Sequence, residues 1–443
     1  MHPAATATCR RPSEAPGKLL QLELDKLEHA TYNDSNRRTP VIYAFFAGGI
    51  GGMRVICTGQ SGLNKARFLR GVQQLALELG HTVQIYDIGQ RICEAAGVDE
   101  NAVLNLPLPH IECLRRQVHR SILDDLRQTS PDHAILCTHA AFRWQFGLFL
   151  ATGPQELADF GPDMFITLVD DVDAIRVELD QRRQEHPERP WMSLLDILYW
   201  REEEIDITQL CARFLSSSDR EVHFFIVPKM HQVANYDGTL AVLEENTRLF
   251  YRLMFERERR KRVYVSFPVS QVMRDELAWN DIKGYRATLR DHFILTDPLD
   301  IGEGKLRTHY EVAAESGQIE NREFTYDVRG QQVSIREDEA RLAMEVIEEQ
   351  INARDFRLVD QNELVFAFLP LLKSGIPAGS WGVNAELTHA HHTGKSTFIV
   401  CEDPNPLGPF KRMATGFFST VEEALAAFKE FHWIPEEGDR TDG

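Results

Sequence analysis

At 443 residues the chain is long for one domain and comfortable for two. Its 43% hydrophobic and 26% charged residues are ordinary for a soluble globular protein, and its apolar runs are interrupted well short of the ~20 residues that span a bilayer. A formal net charge of −18 argues against broad binding to nucleic acid or anionic membrane, and seven scattered cysteines without a CxxC pair fit a reducing cytoplasm and not a disulfide framework.

Residues 1–52 stand apart. "MHPAATATCRRPSEAPGK" is rich in Pro, Ala and Thr and has no secretory apolar core, while "VIYAFFAGGIGG" is short and ends in glycines. Met53 follows at once, ahead of a clean buried-strand pattern. This segment is read as a disordered extension, a targeting arm or an upstream start, and is kept out of the fold.

From residue 54 strands and helices alternate. "RVICTG", "TVQIYDIG", "HAILCTH", "DMFITLVDD" and "EVHFFIVP" read as strands. "LNKARFLRGVQQLALELG" and "IECLRRQVHRSILDDLRQ" read as helices, and "LAVLEENTRLFYRLMFERERRKR" as a closing helix that runs into a basic junction. The pattern then restarts with strands "VYVSFPVS", "HFILTDPL", "LVFAFLPLL" and "STFIVCE", interrupted over 300–337 by a more polar stretch holding a hairpin, "FTYDVRGQQVSI". Short apolar strands separated by helices indicate parallel sheets covered on both faces. The expected fold class is therefore α/β, with two domains, 53–258 and 259–443, each a mainly parallel sheet flanked by helices.

Between the first strand and helix lies "TGQSGLNKA", residues 58–66. A phosphate-binding loop needs glycines so that backbone N–H groups can curl around an anion at a helix N-terminus, and the usual GxxxxGK[ST] adds a Lys for phosphate and a hydroxyl for Mg²⁺. Gly59, Gly62 and Lys65 are in place; Asn64 stands at the second glycine and Ala66 at the hydroxyl. Asn tolerates a left-handed backbone, so the loop shape is expected to persist, whereas Ala66 cannot ligate a metal.

With "VQIYDIGQRICEAAG", "AILCTHAAFR" and "DMFITLVDDVDAIRVELDQRR", this loop resembles the adenylate kinase family over roughly 54–235. The resemblance implies an ATP or other nucleotide site at Gly59, Gln60, Ser61, Gly62, Leu63, Asn64, Lys65 and Ala66, with Arg182 and Arg183 as lid arginines. The family's Asp-Thr-His is Cys137-Thr138-His139 here, so a second contributor to Mg²⁺ organisation is missing, though Asp170 or Asp171 offers a substitute. Nucleotide binding is expected ahead of phosphoryl transfer.

In the second half, "SWGVNAELTHAHHTGK" places Glu386 near a helix start that follows a strand, where open α/β sheets bind ligands. Complementing the helix dipole is the ordinary job of a first-turn Glu. With Ala390, Gly394 and Lys395, the spacing resembles the nucleoside 2-deoxyribosyltransferase superfamily, over about 262–430. That resemblance implies a flavodoxin-like domain and a small-molecule nucleoside or nucleotide substrate. It assigns Glu386 as the nucleophile on the anomeric carbon, Asp360 as its orienting or substrate-contacting partner, and Ser266, Phe267, Pro268, Gly382 and Val383 as pocket. It also implies a homo-oligomer. The family's Thr is Val383 and its final Pro is Ser396. His389, His391 and His392 lack a further ligand, so no metal site is expected there. The combined expectation is a cytoplasmic enzyme that cleaves or transfers an N-glycosidic bond; the alternative is a nucleotide sensor with little catalysis.

Overall fold

The computed structural model describes residues 52–99, 102–144, 147–185, 191–217, 219–233, 242–402 and 412–434; the expectation for the N-terminal extension lies outside the described residues. In chain order the strands are β1 (Arg54–Thr58), β2 (Val83–Asp87), β3 (His133–Cys137), a hairpin of β4 (Ala141–Trp144) and β5 (Gly147–Leu150), β6 (Met164–Val169), β7 (His223–Pro228), and a second hairpin of β8 (Met230–Val233) and β9 (Val242–Glu245). The second half supplies β10 (Arg262–Ser266), β11 (Ile294–Thr296), a third hairpin of β12 (Glu323–Val328) and β13 (Gln331–Arg336), β14 (Leu364–Phe368), β15 (Ser396–Val400) and β16 (Gly416–Phe418).

Two five-stranded sheets result, ordered β2-β3-β1-β6-β7 and β11-β10-β14-β15-β16, and every pairing within them is parallel. The α/β, two-sheet fold class is thus as expected. The strands carry continuous apolar runs because helices bury both faces; all six residues of β6 are buried. Counted within its own half, the second sheet has the order 2-1-3-4-5 of flavodoxin-like folds, whose ligand crevice opens between the first and third strands at their carboxyl ends. Here those strands are β10 and β14.

Two local expectations fail. The helix expected from Leu240 begins only at Thr247 and ends at Phe255, because 242–245 pairs antiparallel with 230–233 before Asn246 caps the pair against Lys229. Strand β16 was not anticipated, being only three residues long. The hairpin expected in 300–337 is present, and its alternation buries one face: Phe324, Tyr326, Val328, Val333 and Ile335 join the same core as Ile175 and Leu194 of the first half. Among the described residues no helix is long and apolar enough to cross a membrane.

Charges also cross between the halves. Glu339 accepts from Arg176 Nη1 at 2.7 Å and from the N–H of Leu194 at 2.8 Å. Glu303 lies between Arg201 and Arg354, with the latter at 2.7 Å, and all three are buried. Burial alone would push the Glu303 carboxyl up, but the two guanidinium groups hold it below the ordinary value. Removing the one carboxylate would leave two guanidinium groups facing each other out of water. Glu303→Ala is therefore expected to lower unfolding free energy by roughly 3–5 kcal/mol in urea denaturation; a loss within about 0.5 kcal/mol, the range of an ordinary surface change, would contradict this geometry.

Candidate functional site

The loop after β1 has the backbone that an anion cradle requires. Gly59, Gly62 and Asn64 all have positive φ, at 139°, 90° and 50°. A Cβ on Gly59 would sit 2.7 Å from the carbonyl oxygen of Leu168 and 2.6 Å from Leu63, so only glycine fits there. Asn64 is left-handed, with ψ 49°, and its side chain caps nothing; it fills the glycine position by backbone tolerance. The helix Lys65–Glu78 starts directly from it. No backbone N–H of residues 60–66 donates to an acceptor among the described residues, which leaves a row of donors at a helix N-terminus.

Beneath the loop is a buried carboxylate that the sequence did not reveal. Glu204, fully buried on the helix Leu194–Leu215, accepts from the N–H groups of Gly59 (2.9 Å), Ala140 (3.0 Å) and Ala141 (2.7 Å). Lys65 is buried too, its Nζ donating to the carbonyls of Gly59 (2.6 Å) and Gln60 (3.3 Å) and lying 3.3 Å from the ring nitrogens of His139. Burial works against a charge on Glu204, but His139, Lys65 and the N–H of Ala141 outweigh it and hold its pKa below the ordinary value. Burial and the Lys65 charge hold the pKa of His139 below its ordinary value, against the pull of Glu204. His139 thus stands between Lys65 and Glu204, its Nδ1 3.6 Å from Glu204 Oε1. The side chain of Gln60 turns away from the loop mouth and donates to the carbonyl of Ile197 at 2.7 Å.

The two arginines expected as a phosphate clamp end the helix Val172–Glu185, Arg182 half-buried and Arg183 exposed. That helix touches the loop nearer its start, at Ile175 and Leu179 beside Gly62. Asp170 and Asp171, the suggested substitutes for metal organisation, are buried just past β6, but they are bonded to the second half: Asp170 to Arg329, and Asp171 to the N–H of Gly302 and to Lys305. Among the described residues no group of three or more His, Cys, Asp or Glu is arranged to hold a metal ion.

In the second half, Glu386 lies against β10 at the β10–β14 switch point that the strand order marks. It is 8% exposed and accepts from Tyr264 Oη at 2.9 Å and from Ser266 Oγ, both on β10. Tyr264 and Ser266 share a face because they are two residues apart on one strand. The helix Trp381–His392 begins one residue after Ser380, which caps it by accepting from Val383, so Glu386 falls in the second turn and not, as expected, in the first. Compensating the helix dipole is therefore not its role. Burial, and then the charge of nearby Asp355, raise its pKa to about 8. Burial also raises Asp355, although Arg354 beside it at 2.8 Å pulls the other way.

Other expected pocket residues are placed differently. Asp360 ends the helix Glu337–Asp360, on the side from which β14 starts, and bonds His389 Nε2 at 2.8 Å. The groups that orient Glu386 are Tyr264 and Ser266, not Asp360. Phe267 and Val383 are core residues, 4% and 1% exposed, so Phe267 offers no open face for stacking on a base. Pro268 caps the short helix Val269–Val272, and a Cβ on Gly382 would meet Ser380 Oγ at 3.8 Å, an ordinary contact. His389 is accounted for by Asp360 and by stacking on Phe356, with ring centroids 4.4 Å apart.

No family model matches the chain, and no curated protein matches it in sequence. A solved structure from the PezAT chromosomal toxin–antitoxin system of Streptococcus pneumoniae aligns with 55% of this chain and 89% of its own, at 10% identity and a TM-score of 0.25. A likeness of that size carries no weight for fold or function.

The burial of Glu386 makes a prediction independent of any activity. Its folded pKa, about 8, lies above the ordinary 4.5, so its contribution to stability is complete below pH ~4.5 and is lost as pH rises through about 8. Glu386→Gln removes that loss. Its melting temperature relative to wild type should rise between pH 5 and about pH 8 and level off above; a difference that does not change with pH would show that Glu386 is not a buried acid.

Proposed function

We propose that this chain is an enzyme of nucleotide metabolism that cleaves or transfers the N-glycosidic bond of a nucleoside or nucleotide, with Glu386 as nucleophile. We propose further that residues 59–66 bind ATP or another nucleotide. The observation that carries the first part is a single buried glutamate at the β10–β14 crevice, aimed by two hydroxyls on one strand.

The chemistry follows from that placement. The ionised carboxylate attacks the anomeric carbon as the C–N bond breaks; the base departs with the bonding pair and takes up a proton, leaving a glycosyl ester on Glu386. Water or a second base then attacks the same carbon and frees the carboxylate, so configuration is retained overall. A pKa raised to about 8 makes the ionised form the minor one at neutral pH and the more basic nucleophile once formed. Tyr264 and Ser266 fix its direction and stabilise it as it regains charge.

Base release from a panel of nucleosides, nucleotides and NAD⁺ tests this directly. Wild type should release base from at least one of them, with kcat/KM rising with pH to a plateau above about pH 8, and Glu386→Ala should lose on the order of 10³-fold or more. Equal rates for the two proteins would remove Glu386 from catalysis.

A second reading, a nucleotide sensor, draws on the first half. The loop keeps Lys65 and its row of donors, yet Ala66 offers no hydroxyl and the strand-end carboxylates are engaged elsewhere. ATP titration should show binding that Lys65→Ala weakens about tenfold or more, the loss of one charge-assisted contact. Steady ADP formation by the wild type would instead make this half a working phosphotransferase.

A further inference from the structure

The tip of the β12–β13 hairpin belongs by sequence to the second half but bonds the carboxylates that follow β6 in the first. Arg329 and Gly330 form its turn, both with positive φ, at 54° and 85°. From there the Arg329 guanidinium grips Asp170 with both ends, Nη1 to Oδ2 at 2.8 Å and Nη2 to Oδ1 at 2.5 Å, and reaches Asp171 Oδ2 at 3.3 Å. Lys305 Nζ stands 3.5 Å from Asp171 Oδ2, and Lys229 Nζ 3.9 Å from Asp170 Oδ2. The loop is immediately adjacent: β6 pairs with β1 up to Thr58↔Thr167, and Gly59 abuts the carbonyl of Leu168.

With the family's acid replaced by Cys137, these strand-end carboxylates are the substitutes the sequence offers for holding a nucleotide-bound Mg²⁺. They do not fit that role. Both oxygens of Asp170 are held by Arg329, and Oδ1 also accepts the N–H of Asp171. Asp171 Oδ1 accepts from Gly302 at 2.5 Å, and Oδ2 is paired with Arg329 and Lys305. Asp173 accepts from the N–H of Ala174 at 2.7 Å and from Tyr326 Oη at 3.4 Å, and burial with the charge of Asp171 raises its pKa to about 7. Mg²⁺ needs hard oxygens free for octahedral ligation, and here every oxygen is already bonded. The ligating hydroxyl is also replaced, by Ala66. Meanwhile Arg329 and Lys305 remain 26% and 35% exposed beside the carboxylates that follow β6.

We propose that Arg329 and Lys305 take the place of the metal ion: the phosphates of a nucleoside di- or triphosphate at loop 59–66 are neutralised by cations that the second half delivers, and binding needs no divalent metal. This rests on the nucleotide reading of the loop. It adds that the ligand is held jointly by both halves, Lys65 from one and Arg329 from the other.

The test is calorimetric titration of the full chain with ATP, once with excess Mg²⁺ and once with EDTA. Wild type should bind with affinities within about threefold of each other in the two buffers. Because Arg329→Gln alone strands a buried Asp170, the informative variant is Arg329→Gln with Asp170→Asn, which leaves an uncharged pair; its fold is checked by thermal melting. In EDTA this double variant should bind about tenfold or more weakly than wild type. Tighter binding with Mg²⁺ by tenfold or more, or wild-type affinity in the folded double variant, overturns the proposal while leaving the nucleotide reading intact. If wild type binds in neither buffer, the nucleotide reading falls and this proposal with it.

Discussion

The helix Leu194–Leu215 is the constraint on which both halves depend. It is buried on more than one side: Leu198, Trp200, Arg201, Glu204, Ile205 and Thr208 are all shielded from water. Three residues along a helix advance about 4.5 Å, so Arg201 and Glu204 are neighbours on its surface. Glu204 supports the phosphate-type loop from below, and Arg201 meets Glu303 of the second half. A buried charge is tolerated only when it is paired or hydrogen-bonded: Arg201 is paired with Glu303 across the halves, and Glu204 is satisfied by three backbone N–H groups of the first half. Through Glu303 the same helix reaches Arg354 and Asp355, the residue whose charge helps raise Glu386. The two candidate sites thus share one rigid support.

That support explains why the sheets are two but their packing is shared. The segment 300–347 follows β11 in sequence, yet its hairpin and the start of the next helix bury their apolar residues against Ile175 and Leu194. Buried ion pairs at Glu339 and Glu303 then fix the register of that contact, since sliding would leave guanidinium groups unpaired out of water.

Much of this was legible in the sequence, and what was not has a common cause. Local rules worked: apolar runs gave nine of the ten sheet strands named above, and Asn64 was expected to hold a left-handed turn and does. Glu386 could be singled out from its place after a strand. Its true partners were within reach, because alternation along "VYVS" puts Tyr264 and Ser266 on one face. Asp360 precedes β14 and so lies at the amino end of that strand, away from the carboxyl end that leads to Glu386, a distinction already carried by its place in the sequence. Glu204 and Arg329 carried no signal. One of three successive glutamates, and an arginine in a polar turn, become notable only when folding brings them about 145 and 159 residues across the chain to Gly59 and Asp170.

The proposed function turns on whether Glu386 forms a covalent bond to a sugar. The most direct measurement is intact-protein and peptide mass spectrometry after incubation with 2′-fluorinated nucleosides, whose fluorine destabilises the oxocarbenium-like centre and slows turnover of a glycosyl ester. The protein mass should increase by one fluorinated sugar, located to the peptide containing Glu386 and absent from Glu386→Gln. Base release with no adduct at Glu386, or with the sugar on another residue, would contradict it.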